Sequence, residues 1–273
     1  MTDRLLDPFL LEGRTALVTG GTGGIGRACV RRLHDYGASV ATTFLPETET
    51  AGTVGEAFPD LDRVTAHPLD LRDTASIDAC LEAAEQAHGG IDILVNNAAV
   101  GSATVAAFSD DLRTQDTLML AINADGTLKM SQGFLARESD PGHQGEPRKL
   151  INISSVGGGI NVFPGFRVSD GMSKAAVAFM TKQLAAETVH SNVDVFAICP
   201  GATDTPMFDA STLAELTADE RQAFEDGLPK GRLISPEEIA SIVHVLATGL
   251  SQPLHGAVLD ASMGLGVHPG MLG

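Results

Sequence analysis

Asp170 and Lys174 stand four residues apart in "DGMSK", a stretch that reads as the front of a helix with the aspartate as its cap. A carboxyl group titrates at about 4 in water, and a neighbouring ammonium lowers it further. The pair therefore predicts an ionised acid at neutral pH, able to take a proton and seldom carrying one to give, which makes it a candidate general base. The structural alternative is a cap or an ion pair without chemistry. A second constellation lies near the start of the chain. In "ALVTGGTGGIGRACVRRL", Gly20, Gly24 and Gly26 follow an apolar run and head a helical pattern, with Thr22 and Ile25 between them. Glycine lets a backbone turn tightly and approach a pyrophosphate, whose charge the helix N-terminus meets.

These groups need a scaffold, and the chain offers one. "TALVT" 15–19, "SVATTF" 39–44, "RVTAH" 63–67, "IDILVN" 91–96, "KLINIS" 149–154, "DVFAIC" 194–199 and "GAVLD" 256–260 read as buried strands. Segments long enough for crossover helices separate them, so the expectation is an α/β fold: a Rossmann-type, doubly wound parallel sheet of about seven strands in a single domain over 1–273. Two stretches interrupt the rhythm. "RESDPGHQGEPRK" 137–149 is expected to be a solvated polar loop. "TDTPMFDASTLAELTADERQAFEDGLPKGR" 203–232 follows a strand at the carboxyl edge of the sheet and is expected to form a mobile substrate lid with one or two short helices.

The glycine turn resembles the T-G-x-x-x-G-x-G form of the short-chain dehydrogenases/reductases, and further segments match that family in order. Asp70 and Leu71 match its adenine contact, and "NNAA" with Asn97 matches the N-N-A-G after the fourth strand. Asn123 stands at the helix asparagine, and Ser155 in "NISS" at the serine. "CPGATDTPM" supplies Pro200, Gly201 and Thr205 around the nicotinamide, and "SPEEIASIVHVLAT" 235–248 resembles the late helix. The resemblance implies NAD or NADP as cofactor and hydride transfer as chemistry. In it a tyrosine hydroxyl exchanges the substrate proton, a lysine lowers that tyrosine's pKa and binds the nicotinamide ribose, the serine holds the substrate oxygen, and the asparagine supports a water route to the lysine. Lys174, Ser155 and Asn123 match. Asp170 stands where the tyrosine belongs.

A displaced tyrosine does not rescue the pattern. The one tyrosine, Tyr36, is expected on the first helix with Ile25, Cys29 and Leu33 at core-facing spacing, roughly 15 Å from the helix end that meets the cofactor. An aspartate is also shorter by roughly 3 Å, judged from bond lengths. Between Ser155 and Asp170, "VGGGINVFPGFRVS" is slightly longer than the family's usual spacing and glycine-rich at its start, which could bring the carboxylate to the substrate. The expected function is an NAD(P)-dependent oxidoreductase acting on a small alcohol, carbonyl or imine without a tyrosine. Two alternatives stay open: a lyase, dehydratase or isomerase with Asp170 as base, and a catalytically inactive cofactor-binding scaffold.

For the choice of nucleotide, no Lys or Arg occurs between Arg32 and Arg63, Glu47 follows the second strand, and Gly23 occupies a position where NADP users often carry a base. This favours NAD, an arginine from elsewhere being the feature that would reverse it. The net charge of −17 disfavours nucleic acid. Cys29, Cys80 and Cys199 are scattered in apolar stretches and read as buried thiols of a cytoplasmic protein. No stretch reaches membrane-spanning length. His67, His88, His143, His190, His244 and His255 lack metal spacing and are expected on the surface or in loops, so no metal site is expected. The expected partner is a small-molecule substrate, and the resemblance implies a second copy of the chain, as homodimer or homotetramer; the end "DASMGLGVHPGMLG" departs from the family's D-G-G.

Overall fold

Seven short apolar runs cannot bury their two faces alone, and they are covered here by helices on both sides. The computed structural model describes residues 7–137 and 146–268. In chain order the elements are β1 Thr15–Val18, α1 Gly24–Asp35, β2 Ser39–Phe44, α2 Ala51–Ala57, β3 Val64–Pro68, α3 Thr74–His88, β4 Ile93–Asn96, α4 Ser102–Phe108, α5 Leu112–Leu120 and α6 Thr127–Leu135. After them come β5 Arg148–Ile153, the single turn α7 Val156–Gly159, α8 Val168–Thr188, β6 Val193–Pro200, the short α9 Pro206–Phe208, α10 Ala218–Gly227, α11 Pro236–Ala247 and β7 Val258–Ala261. The sheet order is β3-β2-β1-β4-β5-β6-β7, and every pairing is parallel.

Alternation along the strands divides the core. Ala16 and Val18 face the layer built with Val30 and Leu33 of α1 and Val243 of α11. Leu17 between them faces the layer built with Leu81 of α3, Phe134 of α6 and Leu184 of α8. The chain leaves β1 toward β2 and later returns to β4 on its other side, so a crevice opens at the carboxyl ends of β1 and β4.

The opposite edge holds a correction. Arg148, assigned above to a solvated loop, and Lys149, read above both as the end of that loop and as the start of a strand, are the first residues of β5 and are buried; residues 138–145 of that stretch lie outside the described residues. Lys149 Nζ donates to Asp194 Oδ2 at 2.7 Å and to Ser251 Oγ at 3.1 Å. The Arg148 guanidinium donates to the carbonyls of Ile91, Phe134 and Arg137. Satisfied donors let these cations enter the sheet, a pairing that a sequence window cannot show. Histidines need the same correction: His67 in β3 and His244 in α11 are buried, and His143 lies outside the described residues. Tyr36 caps the C-terminus of α1 with its ring centroid 3.9 Å from that of His244. It is structural and far from the crevice.

Candidate active site

The turn after β1 is shaped by contacts that tolerate no side chain. Gly20 has φ +65°, and a Cβ on Gly26 would collide with the Gly20 carbonyl, so the helix can start only if both are glycine. Asn97 fastens the turn: its Nδ2 donates to the carbonyls of Thr19 and Gly20 at 3.0 and 3.1 Å. No side chain caps α1, which leaves its first N–H groups for an anion at the cleft. Gly20, Thr22, Gly24 and Ile25 line that cleft with Asn97, Asp70, Leu71, Pro200, Gly201 and Thr205. Gly26 stands behind it as a packing residue. These observations fit a dinucleotide's pyrophosphate.

At the other end of the cleft, Ser155, Asp170 and Lys174 come together along its wall. Ser155 follows β5 and accepts from the Gly157 N–H at 3.2 Å, which leaves its own hydrogen to donate. Ser154 Oγ donates to the Lys174 carbonyl at 2.8 Å and so ties β5 to α8. Gly158 has φ +90°, and its backbone lies so close to that of Gly171 that a Cβ would strike the Gly171 carbonyl. The glycine-rich insert therefore presses α7 onto the first turn of α8, one residue from the carboxylate.

Two expectations about Asp170 change. It does not cap α8: the N-cap is Arg167, and Asp170 lies within the first turn, because the extended backbone at Arg167 starts the helix earlier than the sequence suggests. Nor is its carboxyl lowered. Desolvation raises its pKa above the usual carboxylate value and outweighs the opposing pull of Lys174 and Arg167. Asp170 Oδ1 is buried with no hydrogen-bond partner among the described residues. Desolvation likewise lowers Lys174, against the pull of Asp170. Asn123 is buried away from the lining and its side chain is fully used. Its Oδ1 accepts from Val100 N at 2.8 Å, and its Nδ2 donates to Val100 O at 3.0 Å and Ser173 Oγ at 3.4 Å. It braces α8 against the strand β4 exit.

Sequence reasoning missed several wall residues. Arg167 lines the cleft but its guanidinium is spent on Asp116 Oδ1 at 2.7 Å, Gln115 Oε1 at 2.8 Å and Ser169 Oγ at 3.1 Å. Arg72, two residues beyond Asp70, also reaches the cleft. It grips Asp70 through Nε at 2.8 Å and through NH2 at 2.7 Å, and it holds Glu47 at 2.9 Å. That grip lowers the Asp70 carboxyl further. Glu49, and not Glu47, lines the cleft after β2. The "DLRD" spelling around Arg72 was the available signal.

Residues 203–232 form an excursion whose ends are stitched together. Asp204 N donates to Ile234 O and Ile234 N to Ala202 O, both at 2.9 Å. Within it Thr205 caps α9 by accepting from Phe208 N at 3.1 Å, and Met207, Phe208 and Phe224 face a cleft of about 920 Å³. Phe108, Phe163 and Phe166 complete that apolar half.

The family model described as Enoyl-(Acyl carrier protein) reductase matches residues 20–266. The chain belongs to the short-chain dehydrogenases/reductases. It is an oxidoreductase of that family. Galactitol 2-dehydrogenase of Rhizobium johnstonii is 33% identical over 259 residues, covering 94% of this chain and 96% of that protein. The RhlG/NADP complex of Pseudomonas aeruginosa superposes with a TM-score of 0.81 at 28% identity, covering 94% of this chain and 98% of that one. A 3-ketoacyl-(acyl-carrier-protein) reductase of Brucella melitensis complexed with NADH gives 0.78 at 28% identity, covering 93% and 98%. This short-chain dehydrogenase/reductase thus resembles both an NADP complex and an NADH complex. No helix among its described residues is long and apolar enough to cross a membrane.

Proposed function

We propose that this short-chain dehydrogenase/reductase acts on a small alcohol, carbonyl or imine without a phenol, Asp170 working where relatives in the family use a tyrosine. The observation that carries this is Asp170 in the cleft wall with Ser155 and Lys174, with a buried carboxylate oxygen that nothing among the described residues satisfies. A bound nicotinamide dinucleotide would supply or accept the hydride. Ser155 donates its hydroxyl hydrogen to the polar atom of the substrate. Lys174 orients the ribose. Asp170, raised by burial, holds or accepts a proton at that atom, directly or through water. Asn123 keeps α8, and with it Asp170 and Lys174, at the right height.

NAD is the nucleotide that the charges favour. Arg72 is the arginine from elsewhere that could have received a phosphate, but Asp70 and Glu47 already occupy it. With Glu49, three carboxylates stand against one guanidinium, so a phosphate on the ribose meets net repulsion while ribose hydroxyls find an acceptor. Calorimetry with NAD, NADH, NADP and NADPH tests this: NADH is expected to bind at least about tenfold more tightly than NADPH, and binding of none of the four would end the redox reading. The segment 203–232 acts as the lid over substrate. The working unit is a dimer through α8, where Val168, Met172 and Phe179 are 74, 54 and 69% exposed and fall within an arc of about 40°. Leu112 of α5, itself 67% exposed, is supplied by the helix packed against α8.

A further inference from the structure

The wall around Asp170 supplies a carboxyl acceptor and aromatic faces but no phenol to hand a proton to the substrate. Phe166 packs over Gly157 and over Gly171, the residue after Asp170. Five of the eleven phenylalanines, Phe108, Phe163, Phe166, Phe208 and Phe224, line this half of the cleft. Arg167 cannot neutralise Asp170 through a hydrogen bond, because Asp116, Gln115 and Ser169 hold its guanidinium. We infer that the substrate is a carbon–nitrogen rather than a carbon–oxygen compound: an apolar iminium ion, or the amine formed from it, whose positive nitrogen is met by the Asp170 carboxylate.

The inference rests on the redox reading above and narrows it. Hydride addition to a ketone leaves an alkoxide, and the protein must hand over a proton at that moment. An iminium needs none. Hydride from the reduced nicotinamide forms the new C–H bond, the π pair of C=N moves onto nitrogen, and the positive charge of the nitrogen is cancelled. The products are a neutral amine and the oxidised nicotinamide, with no proton entering or leaving. What the site must supply is an anion that holds the cation in place, and Asp170 Oδ1 is a buried acceptor awaiting such a partner. Phenylalanine faces add attraction for a cation and a home for its apolar body.

The test compares N-methyl dihydroisoquinolinium, a permanent cation, with tetralone, a ketone of similar bulk, following loss of NADH against product. The iminium is expected to have a kcat/KM at least about a hundredfold above the ketone. Asp170→Asn should lower it by about a hundredfold and weaken calorimetric binding of N,N-dimethyl tetrahydroisoquinolinium by about tenfold, while NADH affinity, measured in the same variant, shows that the fold is intact. Asp170→Tyr should move the preference to the ketone. Equal or better turnover of the ketone by the natural protein overturns the inference, as does unchanged iminium turnover or ammonium binding in Asp170→Asn. If NADH binds and neither compound reacts, the iminium assignment falls and the cofactor site stands. If no nicotinamide dinucleotide binds, the redox reading falls with it.

Discussion

At the residue scale the decisive quantity is the environment of one carboxyl group. Burial raises Asp170 above its unfolded value of about 4. A carboxyl with a raised folded pKa contributes stability that is fully present below the unfolded pKa and is lost as pH rises through the folded one. Asp170→Asn, which cannot ionise, should therefore gain on the natural protein as pH rises. Thermal unfolding in the absence of ligand should show the variant gaining in Tm on the natural protein between pH 4 and pH 7; a constant difference across this range would mean that Asp170 titrates normally. The sequence showed the aspartate, its lysine and the missing phenol. It did not show the sign of the shift, because a neighbour four residues away is visible in one dimension whereas burial by the folded cleft wall is not. Glu49 was missed for the same reason: the backbone after β2 turns it, and not Glu47, into the cleft. Glu49→Gln should weaken NADH binding by about tenfold in calorimetry, as loss of a charge-assisted hydrogen bond requires; unchanged affinity would remove it from the ribose site.

At the element scale, what places Asp170 is the contact of α7 with α8. Gly158 takes a backbone conformation that L side chains rarely adopt and leaves no room for a methyl against Gly171. Gly158→Ala should cost about 1–3 kcal/mol of stability. It should also lower turnover at least tenfold with NADH affinity unchanged, because the glycine turn at β1 is untouched; steady-state kinetics beside calorimetry separates the two. Helix α8 also carries the exposed stripe of Val168, Met172 and Phe179. Phe179→Glu is expected to shift the protein from dimer to monomer in sedimentation velocity, and a variant that sediments as the natural protein does would place the interface elsewhere. All seven strands were legible from short apolar runs bounded by turns. The start of α8 was not, since Asp170 resembles a cap and Arg167, the residue that precedes the helix, does not.

At the scale of the whole molecule, chemistry and stability sit at opposite edges of one sheet. The carboxyl ends of the strands open the cleft, and the amino ends of β5 and β6 bury Lys149 against Asp194. Removing the lysine leaves an acid in the interior with, among the described residues, His255 Nδ1 at 3.5 Å as its remaining ion-pair partner, so Lys149→Met should destabilise the fold by about 3 kcal/mol and leave NADH affinity unchanged; denaturant unfolding and calorimetry report the two separately. That division separates what the sequence spells out from what it hides. Glycine turns and strand-end motifs are spelled locally, whereas Arg148 looks like loop, and Lys149 like its end as much as a strand's start, until the neighbouring strands and helix surround them. The most direct measurement is the crystal structure of the protein grown with NADH. The expected result is a dinucleotide lying from Glu49 across the Gly20–Gly26 turn, with its nicotinamide ring beside Ser155, Asp170 and Lys174. A nicotinamide turned away from Asp170, with a phenylalanine filling the place beside the carboxylate, would contradict it.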